Sequence, residues 1–500
     1  MRVPVSLALS LAVGIFGFTA VLGVTHSIPA AGLIALAVGA VTGWGTYRHP
    51  AIALDEGACS ARLKALAAGG AVVALVLVAR LSVYIVDPAQ VSYSLIPSSD
   101  WEVRHSCVSA YVVAGAAARA HPNVYDERLY NLPNDDPTAI RKARSIGPFK
   151  IDVFEYPPQF LLLPRGLQLL APAFLDQRML WFALEGGVIL LALLLVARFV
   201  GPAAGTRALL LSPLVWAAVP TLSMLQKGNV HGVIIAISMV AMVLFERRRF
   251  ASGGLLLGFA TVSKLYPGLL CFYLLARRQW RAAAWTAAMG AALSVLTLAD
   301  LGWAPFSSFL DHLPGLVGGE AFPAFRNPSA IAINMSVPGL AWKLKLFGVP
   351  GMGFAAAKII GWIYTVIALV ATVLAARRPQ TRAEMPLVWL AILILATLRS
   401  PFLPNAYGVF PALWLLTLLA STYVPRPRVL GWTLAAWATL NIYWAVDWPV
   451  DPRIKALVNL LPQGLMVVLA VLALRRRAPD AAEPAASDFR QVPSGQSLAN

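Results

Sequence analysis

Apolar runs of roughly 18 to 24 residues recur along this chain, the length that spans a hydrocarbon core of about 30 Å. They lie near 3–24, 29–46, 65–86, 179–199, 208–225, 230–245, 282–300, 353–376, 385–398, 404–422, 429–446 and 456–474. Of 500 residues, 59% are hydrophobic and 13% are charged, against about 25% charged in a soluble domain. One water-soluble core would not bury that much apolar surface, so lipid is the solvent. The fold class expected is an all-α polytopic membrane protein with about twelve spans. The first run, from Val3 to about Val24, is longer than a signal-peptide core and lacks a small-residue cleavage site, so it reads as a retained span.

The net charge of +17 would suggest nucleic acid in a soluble protein. Here the basic residues sit in short connections, and topology explains them better. The clusters are Arg48/Arg62/Lys64, Arg198/Arg207, Arg247–Arg249, Arg277/Arg278/Arg281, Arg377/Arg378/Arg382, Arg426/Arg428 and Arg475–Arg477. The positive-inside rule places all of them in the cytoplasm. That requires the stretch between Arg249 and Arg277 to enter and return on one side. Ser263-Lys264-Leu265-Tyr266-Pro267 at its centre supplies a helix break, so a short helical hairpin is predicted. A single kinked span is the alternative.

This topology leaves a long polar outer loop over 87–178. Within it, 156–172 is apolar but short and interrupted by Pro164 and Arg165, the pattern of an interfacial helix. The predicted organisation is an accessory transmembrane hairpin and cytoplasmic loop over 1–64, a transmembrane domain over 65–478, and a disordered cytoplasmic tail over 479–500, rich in Ala, Pro, Ser and Asp. Cys59, Cys107 and Cys271 are too few and too scattered for a disulfide framework or a zinc site.

The polar residues gather at outer span ends. The long loop opens Ser99-Asp100-Trp101-Glu102-Val103-Arg104-His105, an acid, bases and an aromatic at an apolar boundary. A carboxylate there can be tuned as a general base, and Arg104 or His105 can hold an anion; an ordinary solvated loop start is the competing reading. Further on come Tyr125-Asp126, Glu155-Tyr156-Pro157-Pro158, Gln226-Lys227-Gly228-Asn229 followed by His231, Lys264/Pro267, and Arg399-Ser400-Pro401 before Tyr407. Lys264, a lone cation in an apolar hairpin, is functional by default unless it snorkels to the interface. Gln226 and Asn229 equally suit helix caps, and His231 suits a packing role.

In order and spacing this set resembles glycosyltransferase family 87, the polyprenyl-phosphate-mannose-dependent mannosyltransferase-like proteins of the glycosyltransferase C superfamily, over roughly residues 80 to 420. The resemblance implies a glycosyltransferase C-like fold and inverting transfer of a sugar, mannose by family default, from a polyprenyl-phosphate donor to a glycan or glycolipid acceptor. The active site would face the outside of the cell membrane. Asp100 takes the part of the base. Arg104, His105, Lys264, Arg399, Gln226 and Asn229 would contact donor phosphate or substrate, and Trp101 and Tyr156 would stack on a sugar or grip the lipid. Family spacing counted back from Tyr125 falls near Cys107, so Asp100 carries the role only across an insertion; Asp126 and Glu155 stay open as bases. No metal, cofactor or nucleic-acid partner is expected. A transporter or flippase would carry internal repeats, which are not seen. A lipid-linked polysaccharide polymerase or ligase would carry its large loop late in the chain.

Overall fold

The computed structural model describes residues 2–48, 55, 57–133, 142–423 and 427–475. Arg426, Arg476, Arg477 and the 479–500 tail lie outside them. The chain is predominantly helical. Among the described residues, seven helices are long and apolar enough to cross a membrane: Val3–Thr25, Ile28–Arg48, Ala61–Val86, Phe174–Val200, Trp280–Leu301, Phe354–Arg377 and Pro452–Arg475. A pair bent by 64°, Pro202–Trp216 and Val219–Lys227, makes an eighth if read as one span.

The count is smaller than the dozen that run length predicts. Several of the remaining runs fold into shorter helices: His231–Glu246, Met385–Leu398, Phe410–Tyr423 and Pro427–Leu440. Met385–Leu398 is buried at every position, and His231–Glu246 at nearly every one. Fourteen residues rise only about 21 Å. A helix walled by other helices escapes the length that lipid imposes, and hydropathy alone does not separate the two cases.

The bent pair shows how a break is tolerated at this depth. Pro213 and Pro220 interrupt the helix, and groups from elsewhere complete the exposed backbone. Trp437 Nε1 donates to the Leu214 carbonyl at 2.6 Å, and Val219 N donates to Asn441 Oδ1 at 2.8 Å.

The stretch from Phe250 to Ala276 is broken where the proline predicts, into Phe250–Ser263 and Gly268–Ala276. Gly254 packs on Trp285, Gly258 on Thr286 and Gly290, and Gly290 on Val262. Contact positions thus rise together, so Phe250–Ser263 runs parallel to Trp280–Leu301. The chain reaches the start of the second helix by turning back, and both basic turns lie at one end. A methyl group at Gly254 would sit 2.7 Å from the Trp285 carbonyl carbon. Gly254→Val is expected to destabilise the fold by about 1–3 kcal/mol. An unchanged thermal midpoint in detergent would contradict this packing.

Arg198, Arg378 and Arg382, from two other basic clusters, lie at the same end. Arg247 feels the charges of Arg198, Arg249 and Arg382, and Gln279 bonds Glu246 at 3.1 Å. Arg382 lies over the Phe199 ring, and Arg378 donates to the Leu474 carbonyl.

At the opposite end, between the close of Ala61–Val86 and the start of Phe174–Val200, the described residues of the 87–178 segment form a folded cap. Its 156–172 part forms a turn over Pro158–Leu161 and a nine-residue helix, Leu162–Leu170, with Leu169 and Leu170 exposed. The segment also holds a small three-stranded sheet absent from the all-helical expectation. Strand β1 (His105–Ser106) runs parallel to β3 (Phe149–Ile151), and β2 (Ser145–Ile146) pairs antiparallel with β3. The β2–β3 turn is possible because Gly147 adopts φ +55°.

Candidate active site at an apolar boundary

A cavity of about 560 Å³ opens where the hairpin break meets the cap. Its polar end is built from four separate stretches of chain: Glu155 and Tyr156 from the cap, His231 at a helix start, Lys264 and Tyr266 in the break, and Arg399 with Tyr407 after the buried Met385–Leu398 helix. Its other walls are apolar, among them Leu265, Leu269, Phe272, Leu313 and Trp362. Leu265 and Phe272 are each 53% exposed and Trp362 62%, so the cavity opens sideways, onto the surface that lipid would cover.

Lys264 follows the last residue of Phe250–Ser263 in extended backbone, where the helix stops ahead of Pro267, whose ring would clash with the Ser263 carbonyl if the helix continued. Its Nζ lies 5.2, 5.5 and 5.9 Å from the ring centres of Tyr156, Tyr407 and Tyr266. The three electron-rich faces stabilise the cation, and among the described residues no hydrogen bond or ion pair ties it to a carboxylate. Arg399 Nε donates to Thr365 Oγ1 at 2.6 Å, and its guanidinium lies over Trp362. Two cations therefore line one cavity with anion-binding capacity to spare. His231 is buried between the Tyr266 and Tyr407 rings, with Nδ1 3.2 Å from the Tyr266 hydroxyl and Nε2 without a partner.

Glu155 is the carboxylate of this cavity. Burial, and then the neighbouring Asp152, push its carboxyl well above the ordinary 4.5, against the pull of Lys264. Asp126 lies elsewhere, forked to Arg128 at 2.6 Å, which holds its carboxyl below the usual range.

The Asp100 cluster does not line the cavity. Asp100 is about half exposed and bonds Lys150 Nζ at 2.7 Å and Arg104 Nε at 2.9 Å; the Lys150 bond leads in holding its carboxyl low. Trp101 stacks on His105 at 4.3 Å instead of standing free for a sugar. His105 Nε2 lies 3.5 Å from Asp152 Oδ2 and 3.7 Å from Cys107 Sγ, with burial holding the imidazole below its usual pKa despite Asp152. Gln226 bonds the backbone of Leu95 and of Glu102 at 2.6 and 2.7 Å, and Asn229 bonds the His231 amide and Cys107 Sγ. Here both side chains pin the cap to the helices. The structure thus brings Tyr156, Lys264 and Arg399 together and leaves Asp100, Trp101, Arg104, His105, Gln226 and Asn229 outside the cavity lining.

Beneath the cap lies a buried network that local motifs do not reveal. Lys227 Nζ meets Glu102 Oε1 at 2.7 Å, Ser223 Oγ donates to Glu102 Oε2 at 3.2 Å, and the Tyr443 hydroxyl donates to Glu102 Oε1. The one sequence signal is Lys227 itself, a cation at the outer end of an apolar run.

The class defined so far is a polytopic membrane protein with two cations and a carboxylate lining one largely apolar cavity. The particular family follows from comparison: the chain belongs to glycosyltransferase family 87, whose model matches residues 154–403, half of the chain. It is a membrane glycosyltransferase. The match includes Glu155, Tyr156, Lys264 and Arg399, and excludes the Asp100 segment. A search of curated proteins finds no match.

Proposed function

We propose that this protein transfers a sugar, mannose by family default, from a polyprenyl-phosphate donor to a glycan or glycolipid acceptor on the outer face of the cell membrane, with inversion. The carrying observation is the single cavity that joins Lys264 and Arg399 to an apolar, laterally exposed wall. The lipid tail leaves along Leu265, Phe272 and Trp362, and the phosphate sits between the two cations. Charge developing on the departing phosphate is stabilised there. Glu155 takes the acceptor hydroxyl proton as that oxygen attacks the anomeric carbon, and Tyr156 packs on the substrate. The gathered basic turns at the opposite end support an outward-facing cap through the positive-inside rule.

Purified protein in nanodiscs, given polyprenyl-phosphate mannose and a glycolipid acceptor extract, should form a mannosylated product of opposite anomeric configuration. Transfer from nucleotide sugars only would defeat the reading. Lys264→Met is expected to raise the KM for the lipid donor about 10- to 100-fold, the worth of one charge-assisted hydrogen bond. An unchanged KM would remove Lys264 from phosphate binding.

A further inference from the structure

We propose that His105, Cys107 and Asp152 form a divalent-cation site of the zinc class at the root of the cap. The argument begins with the ladder. His105 pairs with Lys150 and Ser106 with Ile151, so the next step along both chains brings Cys107 beside Asp152. Ser106 between His105 and Cys107 is extended, at φ −142° and ψ 116°, and residues on either side of an extended position point the same way. The imidazole, thiol and carboxylate therefore converge, their ligand atoms all within 4.8 Å of one another.

The separations suit an ion. Bonds of about 2.0–2.3 Å to N, O and S at tetrahedral angles place ligand atoms roughly 3.3–3.6 Å apart. The two measured spacings from His105 Nε2 are 3.5 and 3.7 Å. Each ligand is also held from behind, as metal ligands are. Trp101 stacks on the imidazole, Asn229 Nδ2 donates to Cys107 Sγ at 3.3 Å, and the Val153 amide donates to Asp152 Oδ1 at 2.9 Å. The donor set, one sulfur, one nitrogen and one oxygen, favours zinc-like ions over magnesium or calcium. The Asp152 side chain is 35% exposed, leaving a solvent-reachable side for a fourth ligand. Local spacing predicts no metal here because Asp152 arrives through β3, far along the chain. The transfer proposed above is not routed through this ion.

Titration of the chelator-stripped, full-length protein with Co2+ tests the site through its spectrum, independently of transfer activity. One Co2+ per chain with a thiolate-to-metal charge-transfer band is expected. The band should vanish in Cys107→Ser and in His105→Ala, and persist when Cys59 and Cys271 are both changed to Ser. Asp152→Asn should keep the sulfur band and weaken binding about tenfold or more. Zn2+ should raise the thermal midpoint of the wild type and leave that of His105→Ala unmoved. No band in the wild type, or a band that survives in Cys107→Ser, overturns the proposal; if Cys107→Ser fails to fold, persistence in His105→Ala does so instead.

Discussion

Glu155→Gln is expected to lower the rate of sugar transfer about 10²- to 10⁴-fold, the usual worth of a positioned base, while the protein still folds. Glutamine keeps the size of the side chain and removes its capacity to take a proton. The raised carboxyl adds a second readout. A base works in its ionised form, and burial with Asp152 nearby lifts the Glu155 carboxyl well above 4.5. Wild-type activity should therefore fall as pH drops through that raised value, earlier than an ordinary carboxylate would allow. Asp100→Asn is the matched control, because its partly exposed ion pairs with Lys150 and Arg104 are of a kind worth little. Should Asp100→Asn abolish transfer and Glu155→Gln preserve it, the base is in the Asp100 segment and Glu155 is not.

The second large effect concerns stability. Lys227→Met is expected to cost about 3–5 kcal/mol, because it strands the Glu102 carboxylate in a fully buried setting. Tyr443 and Ser223 still donate to that carboxylate, but neither neutralises its charge. The double change Glu102→Leu with Lys227→Met removes both charges together and should recover much of the loss, since well-packed apolar replacements of buried pairs are often neutral. Thermal midpoints of the two singles and the double, measured in one detergent, form the cycle that isolates the pair. Additive losses would show that the two residues act independently. The pair also holds the start of the cap against the helices, together with Ser99 and the Trp101 amide, which donate to Asp447 at 2.6 and 3.0 Å. Lys227→Met should therefore loosen the cap, and faster proteolysis within 87–178 would report it.

Much of the membrane architecture was readable from local chemistry. Long lipid-facing helices such as Ile28–Arg48 and Phe354–Arg377 follow from apolar length, because hydrocarbon thickness constrains each independently. The break near Pro267 follows from a ring that removes a donor and blocks the helix. Lys264 stands out because a charge in apolar surroundings is costly wherever the rest of the chain lies. Other features were decided only by the assembled tertiary structure. Met385–Leu398 reads as a span, yet the surrounding helices, not lipid, set its length. Asp100 has the composition of a site residue, yet Lys150 delivered by β3 makes it a surface ion pair. Glu155 becomes the cavity carboxylate because the cap folds over the hairpin break. Hydrophobic length and helix breaking are properties of neighbours along the chain, whereas the pairing of a charge depends on which distant segment packs beside it.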